Sequence, residues 1–273
     1  MKPDNVTAAY FSGTGTTEKI VRLIAGRLAE HLGAAPDFHD FTLPASREDV
    51  REFCPQDMVV LGVPTYAGRV PNVLLPYLTE KLVGGGALAL PVVLFGNRDY
   101  DDSLIELRNI LEADGFYTVG GAAFAGEHSF SYVLGAGRPD AEDLARAAGF
   151  ADTVFDRVSA LTGVPAEPAF VKGEEPLRPY YTPRDRHGAP VNILKVKPKV
   201  NEDCTDCGIC AEVCPMGSIN PQNVREYTGI CIKCGACIKK CPEKARYYDD
   251  EGFLYHKTEL EEVYVRRAEP ELF

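Results

Sequence analysis

The sequence predicts an α/β protein in two parts: a doubly wound domain with a five-stranded parallel sheet, and a smaller α+β domain rich in cysteine. Three observations support this. Short apolar runs alternate with helical patterns through residues 1–161, which is typical of a parallel sheet covered on both faces. The run at 58–63 is continuously apolar, as in a strand buried on both sides. Eight of the nine cysteines lie between positions 204 and 241.

The elements of the first domain follow from hydrophobic period and turn residues. One helix shows Ile20, Ile24, Leu28 and Leu32 on a single stripe, and Gly33 is its expected stop. Strands are expected at 6–11, 37–41, 58–63, 91–95 and 117–124, and helices at 18–32, 73–82, 103–113 and 141–161. This alternation suits a doubly wound sheet.

Residues 162–198 read as a semi-rigid connector, because they contain seven prolines and few apolar runs. The aromatic and charged residues Tyr180, Tyr181, Arg184 and Arg186 are more than a spacer needs, so we expect the connector to pack on the first domain. The cysteine-rich domain is expected at 199–249. The tail, 250–273, is expected to hold a short helix at 258–267.

Charge and composition exclude some classes of function and partner. The formal net charge of −11 disfavours a nucleic-acid partner, whose phosphates would be repelled. The N-terminus shows no apolar signal core, and no stretch approaches the ~20 apolar residues of a membrane helix, so we expect a cytoplasmic protein. In that reducing compartment cysteines indicate metal ligation rather than disulfides. Cys54 stands apart and is expected to be a buried thiol.

The other eight cysteines form two runs of identical spacing, each ending in Cys-Pro. This spacing holds [4Fe–4S] clusters, and the fourth ligand of each cluster comes from the other run. Structural zinc would leave half of the thiols idle, and a thioredoxin-like pair needs only one Cys-x-x-Cys. The expected ligand sets are Cys204, Cys207, Cys210 and Cys241 for one cluster and Cys231, Cys234, Cys237 and Cys214 for the other. Over about 50 residues this region resembles the two-cluster bacterial ferredoxins.

The loop after the first strand opens a helix, where amide groups and the helix dipole attract a phosphate. Glu18 stands where the dinucleotide fingerprint needs its third glycine, and no Gly-Lys-Ser/Thr follows, so neither nucleotide motif fits. Without a basic residue in the loop, a phosphate would be held by amides and by the hydroxyls of Ser12, Thr14, Thr16 and Thr17.

The segment Ser12-Gly13-Thr14-Gly15-Thr16-Thr17-Glu18 resembles the phosphate loop of flavodoxins, which bind FMN. Two loops follow the third and fourth strands, where that family places its flavin ring, and Tyr66 or Tyr100 would stack on the ring. In flavodoxins a peptide in the first flavin loop flips toward the flavin, and Ala67-Gly68 matches that place. The resemblance implies flavin contacts from Pro64, Thr65, Tyr66, Ala67, Gly68, Arg69, Gly96, Asn97, Arg98, Tyr100 and Asp102. The whole chain resembles the flavodoxin–ferredoxin fusion proteins of anaerobic bacteria and archaea.

One feature departs from the flavodoxin pattern, and one further residue is a candidate near the ring. Arg69 and Arg98 lie in the flavin loops, where a cation near the ring would make the flavin easier to reduce. Alternatively each arginine is solvated or paired with a neighbouring aspartate. His128, after the last strand, is a candidate proton relay, or it simply bonds to a backbone carbonyl.

These features predict an electron-transfer protein that links one-electron clusters to a flavin and exchanges electrons with redox partner proteins. Two alternatives stay open. One is a flavin-dependent reductase of a quinone or nitro compound that is fed by the clusters. The other is a flavin-free docking module fused to the cluster domain. The sequence leaves the oligomeric state open.

Overall fold

The computed structural model describes residues 3–273. Its strands are β1 (Asn5–Tyr10), β2 (Asp37–Asp40), β3 (Arg51–Glu52), β4 (Asp57–Pro64), β5 (Leu82–Val83), β6 (Leu88–Phe95), β7 (Tyr117–Thr118), β8 (Ala122–Ala125), β9 (Lys199–Val200), β10 (Arg246–Tyr247) and β11 (Glu271–Leu272). Its helices are α1 (Thr16–Leu32), α2 (Leu75–Glu80), α3 (Ser103–Ala113), α4 (Ala141–Ser159), α5 (Ile209–Glu212), α6 (Ala236–Lys239) and α7 (Glu251–Val263). Among these described helices, none has the length and hydropathy required to cross a bilayer.

The main sheet runs in the order β2-β1-β4-β6-β8-β11. Its first five strands are parallel and follow the 2-1-3-4-5 order of flavodoxin-like doubly wound sheets. Successive residues of β1 point to opposite faces, so Ala8 and Tyr10 join one apolar core and Ala9 joins the other. Helices α1 and α4 cover one face, and α2 and α3 cover the opposite face.

The sheet differs from the expected five strands at its last edge. The predicted strand at 117–124 is split into β7 and β8, with Gly120 and Gly121 between them. Beside β8 lies β11, a strand from the far end of the chain that pairs antiparallel and places Leu272 opposite Ala122. The end of the chain therefore completes the sheet of the first domain.

The C-terminal helix also lies earlier than the predicted 258–267. Asp250 caps it by accepting a hydrogen bond from the Phe253 amide at 2.8 Å, so the helix begins at Glu251. It ends at Val263, because the carbonyls of Tyr264 and Arg266 accept hydrogen bonds from the Asn97 side chain. Cys54 is exposed rather than buried, and its thiol lies 3.2 Å from an Asp57 carboxylate oxygen.

The connector packs on the first domain, as its aromatic and arginine residues predict. The Tyr181 amide donates to the Ala67 carbonyl at 2.8 Å, and the Tyr180 hydroxyl donates to the Val70 carbonyl at 2.8 Å. The Arg178 side chain and amide both donate to the buried Asp102 carboxylate. After the connector, β9 and β10 form an antiparallel pair that frames the cysteine-rich region.

Candidate cofactor sites

The cysteines surround two small cavities, each of which gathers four of them. The first cysteine cavity, with about 330 Å³ of empty space, is lined by Cys204, Cys207, Cys210 and Cys241. The second cysteine cavity, with about 360 Å³, is lined by Cys214, Cys231, Cys234 and Cys237. In residues 3–273 no three His, Cys, Asp or Glu side chains are grouped to hold a single metal ion. Four thiols around a larger space are the donor set of an iron–sulfur cluster.

The backbone conformation repeats together with the cysteine spacing. Gly208 and Gly235 begin α5 and α6 with φ values of 81° and 74°, a conformation that favours glycine. The amide of Ser218 lies 3.4 Å from Cys214 Sγ, and the amide of Ala245 lies 3.4 Å from Cys241 Sγ. The last cysteine of each run, which is the fourth ligand expected for the other run's cluster, thus receives an amide donor. Such hydrogen bonds to sulfur help set a cluster's potential.

Burial makes three thiols of the second cysteine run, residues 231–241, hard to ionise in isolation. It raises the pKa of Cys234 to about 12, and it also raises the pKa values of Cys231 and Cys237. A buried thiolate is stabilised when a metal centre takes up its charge. These thiols therefore suit permanent metal ligation better than thiol–disulfide exchange.

A third, central cavity lies between the two domains and opens to solvent, with about 1160 Å³ of empty space including its mouth. Ile232, Lys233 and Cys234 line it from the second cysteine run, and the connector contributes Tyr181, Pro183 and Ile193. Helix α7 contributes Phe253, His256 and Leu260. From the predicted flavin site, the cavity is lined by Gly13, Thr14, Thr16, Thr17, Pro64, Thr65, Tyr66, Ala67, Gly68, Gly96 and Arg98.

The loop before α1 is built to accept an anion. Gly15 precedes the helix at φ 91°, and no side chain caps the helix. Within the described chain, the amides of residues 13–17 have no protein acceptor. Free amides at the start of a 17-residue helix favour a phosphate. Ser12 and Gly15 do not line the cavity, and the Ser12 hydroxyl already accepts from the Glu18 amide at 3.1 Å.

Four of the residues expected around the flavin ring lie elsewhere. Arg69 donates to Glu106 at 2.8 and 2.7 Å, so it is paired rather than free to act on a flavin. Tyr100 is buried with its hydroxyl donating to Glu271 at 2.8 Å, and Asp102 is buried beneath the connector. The Asn97 side chain donates hydrogen bonds to carbonyls of the C-terminal segment. None of the four lines the central cavity, because distant segments occupy them.

Tyr66, Gly68 and Arg98 remain at the cavity. A side chain at Gly68 would collide with the Asp101 carboxylate, and its φ of 79° also favours glycine. Arg98 pairs with Asp101 and lies over the Tyr181 ring, 4.7 Å from the ring centroid. Burial raises the pKa of Tyr66 well above its usual value, so this aromatic stays neutral.

His128 lines the central cavity, and its Nδ1 atom is buried without a partner in the described chain. It therefore does not bond to a backbone carbonyl through Nδ1. Burial, reinforced by His256, Lys239 and Arg98, lowers its pKa to about 3, so the ring is neutral near neutral pH. A side chain at Gly96 would collide with this ring. Sequence patterns did not identify His256, because only the fold brings α7 to the cavity.

The second cysteine run also touches the first domain directly. A side chain at Gly13 would lie 3.2 Å from the Cys234 Cβ, and one at Gly235 would collide with the Ser129 carbonyl. Lys239 pairs with Glu127. Arg47 donates to the Pro215 carbonyl at 2.7 Å, so the chain just after the first run also contacts this domain. The second cysteine cavity therefore borders the central cavity through Cys234.

Known proteins resemble the two parts separately. The family model described as a 4Fe-4S dicluster domain matches residues 203–246. A pyruvate synthase subunit PorD from Methanothermobacter marburgensis is 40% identical over 50 residues, which cover 18% of this chain and 60% of that protein. A protein named Ferredoxin 7Fe from Hydrogenibacillus schlegelii is 38% identical over 55 residues, which cover 19% of this chain and 70% of that protein.

Two solved flavodoxins align with the first domain. One comes from the domain Archaea, with 14% identity, a TM-score of 0.42, and coverage of 58% of this chain and 99% of that chain. The other comes from Streptococcus pneumoniae TIGR4, with 16% identity, a TM-score of 0.39, and coverage of 56% and 98%.

The strand order and the cysteine-rich domain define the class of the molecule: an iron–sulfur domain joined to a flavodoxin-like domain, an architecture suited to electron transfer. Through its cysteine-rich region the chain belongs to the ferredoxin family, and its first domain has a flavodoxin-like fold.

Proposed function

We propose that the protein transfers electrons between two [4Fe–4S] clusters and a bound FMN. The observation that carries this proposal is the central cavity, where the anion-accepting loop and Cys234 line the same space. The clusters carry one electron at a time and FMN carries one or two, so the pair links one-electron and two-electron redox partners.

The ligand sets for the two clusters are those that line the two cysteine cavities. Cys204, Cys207, Cys210 and Cys241 hold the first cluster, and Cys231, Cys234, Cys237 and Cys214 hold the second. Because Cys234 also lines the central cavity, the second cluster is the one that exchanges electrons with the flavin. The first cluster, beside the exposed Cys207, exchanges electrons with a redox partner protein.

The residues that remain at the central cavity would hold FMN. The amides of residues 13–17 and the hydroxyls of Thr14 and Thr16 would bind its phosphate. Tyr66 would pack against the ring. The carbonyls of Ala67 and Gly68 already accept from the Tyr181 and Asp102 amides, so the amides of this turn would be the backbone groups available to the ring edge. Ile232 and Phe253 exclude water on the side of the second cysteine run.

Iron, sulfide and FMN are to be quantified on one anaerobically purified preparation. We expect roughly eight iron and eight sulfide per chain, together with about one FMN. Cys207→Ser and Cys234→Ser should each lose about half of the iron, and only Cys234→Ser should disturb the flavin spectrum. Wild-type protein that contains zinc, or no iron, contradicts the proposal. Iron–sulfur absorption without releasable FMN supports a flavin-free docking module instead.

A second candidate is a flavin-dependent reductase, because His128 and His256 each keep an unpartnered Nδ1 at the central cavity. Both rings could position a small polar acceptor such as a quinone or nitro compound. The test is the turnover of such an acceptor by the protein, supplied with more than one equivalent of electrons. A rate above that given by the same concentration of free FMN would favour this candidate over a carrier.

A further inference from the structure

The C-terminal segment, residues 250–273, binds two residues that the sequence predicts as flavin contacts, and these two residues do not line the central cavity. The Asn97 side-chain amide donates to the carbonyls of Tyr264 at 2.8 Å and Arg266 at 2.7 Å. The Tyr100 hydroxyl donates to Glu271 in the same segment. The loop after β6 therefore offers no aromatic ring to the central cavity.

Helix α7 puts its own side chains in that place. Phe253, His256 and Leu260 are spaced three and four residues apart, so they share one face of the helix. All three line the central cavity, and each is at most 4% exposed. The segment is fixed to the first domain by Arg267, which donates to Asp140 at 2.6 Å, and by the pairing of β11 with β8.

His256 is the polar member of this set. Its Nδ1 atom is buried and has no hydrogen-bond partner in the described residues. A carboxylate oxygen of Glu259 lies 3.6 Å away, within ion-pair distance of a protonated ring but too long for a hydrogen bond. Buried polar groups in folded proteins are almost always hydrogen-bonded, so an incompletely satisfied imidazole among the residues that line a cavity points to a ligand.

We propose that His256 hydrogen-bonds bound flavin through its ring system, with Phe253 and Leu260 as the apolar cover on either side. This inference rests on the proposed function and extends the flavin site to the C-terminal segment. A neutral imidazole carries one donor and one acceptor, so it can satisfy either kind of group at the polar edge of isoalloxazine. The chain thus covers its flavin with α7 rather than with the loop after β6.

The test is flavin affinity of the full-length, anaerobically prepared protein, measured by quenching of flavin fluorescence. His256→Leu keeps the volume and the apolar contacts but removes both nitrogens. We expect it to raise the dissociation constants of FMN and of riboflavin about tenfold, equivalent to about 1.4 kcal/mol. Thr16→Val, at the phosphate loop, should weaken FMN and leave riboflavin unchanged. Glu262→Gln, at an exposed position of α7 outside the cavity, should change neither.

His256→Gln retains a donor and an acceptor and should restore most of the affinity. Iron and sulfide content reports whether each variant is folded. Wild-type protein that binds neither FMN nor riboflavin refutes the proposed function itself. Wild-type protein that binds both, with His256→Leu binding them equally well, refutes only the role of His256. If His256→Leu loses its clusters, the His256→Gln variant is the test. An FMN affinity at the level of the wild type supports the hydrogen bond, and a tenfold loss of affinity overturns it.

Discussion

The first cysteine run, residues 204–214, and the second cysteine run share a spacing and a backbone but differ in their surroundings. Gly208 has open space where a side chain would go, whereas Gly235 abuts the Ser129 carbonyl. Cys207 is exposed, whereas Cys237 is buried. The same internal repeat therefore has one outward-facing copy and one that is packed against the flavodoxin-like domain.

The charges differ in the same way. Asp206 in the first run is exposed and pairs with Arg225 at 2.5 Å, while Lys233 at the equivalent place in the second run is buried. Lys239 in the second run pairs with Glu127 across the domain boundary, and its counterpart Glu212 is exposed. The comparison teaches that spacing specifies the grouping of the cysteines, whereas non-repeated residues specify which cysteine cavity borders the central cavity.

The largest difference is expected from the matched glycines. Gly208→Ala costs about 1–2 kcal/mol, the strain of a left-handed residue with a side chain. Gly235→Ala adds a collision with backbone and should cost roughly 3–5 kcal/mol. The measurement is the temperature at which the cluster absorbance is lost. Equal loss of stability in the two variants would contradict the packing of the second run against the first domain.

A smaller difference is expected from the Lys239–Glu127 pair. Lys239→Met leaves a half-buried carboxylate without its cation and should destabilise the protein by about 1–2 kcal/mol at pH 7. Glu212→Met, at the exposed equivalent position, should stay within about 0.5 kcal/mol. Denaturant unfolding, followed by cluster absorbance, measures both. An effect at position 212 as large as that at position 239 would show that the pair does not hold the domains together.

The same pair predicts a pH dependence. Burial disfavours the charged form of Glu127, but the hydrogen bonds from Lys239 and from the Gly137 amide outweigh it and hold the pKa of Glu127 below its usual value. Its stabilisation is therefore present above the usual carboxyl pKa of about 4.3 and is lost as pH falls through the lowered value. The stability gap between wild type and Lys239→Met should shrink on acidification, and a constant gap would contradict this.

How far the sequence predicted this molecule depends on how local each signal is. The cysteine grouping is a short-range pattern with two-residue gaps, and the strand at 58–63 is marked by its own apolar run. The strand β11 has only two residues and no pattern of its own. It forms because β8 offers an unpaired edge, which no local signal in the sequence reveals.

The candidate flavin site shows the same limit. Thr14, Thr16 and Tyr66 lie at the central cavity because each follows directly from a strand end. Tyr100 and Asn97 follow a strand end as well, but Glu271 and Arg266, more than 160 residues later in the chain, bind them elsewhere. His256 reached the cavity through a helix whose start was predicted too late. Competition from distant residues therefore decided the positions of Tyr100 and Asn97.

The smallest expected effect concerns the potentials of the two clusters. Lys233 is 5% exposed, and its ammonium donates to the Cys231 carbonyl at 2.7 Å, so it would stabilise an added electron on the proposed second cluster. Lys233→Met should lower one cluster potential by about 40–60 mV, since ~59 mV is a tenfold change for one electron. Asp206→Asn, at an exposed and paired site, should raise the other by less than about 20 mV.

Stepwise reductive titration of the purified protein, followed by electron paramagnetic resonance, assigns each potential to its cluster. The matched pair separates position from charge, because both variants remove one charge at equivalent places in the repeat. A buried charge is poorly screened and an exposed one is well screened, so the shift at Lys233 should persist in high salt and the shift at Asp206 should vanish. Equal shifts, or equal salt dependence, would show that the two clusters lie in the same electrostatic surroundings despite their different burial.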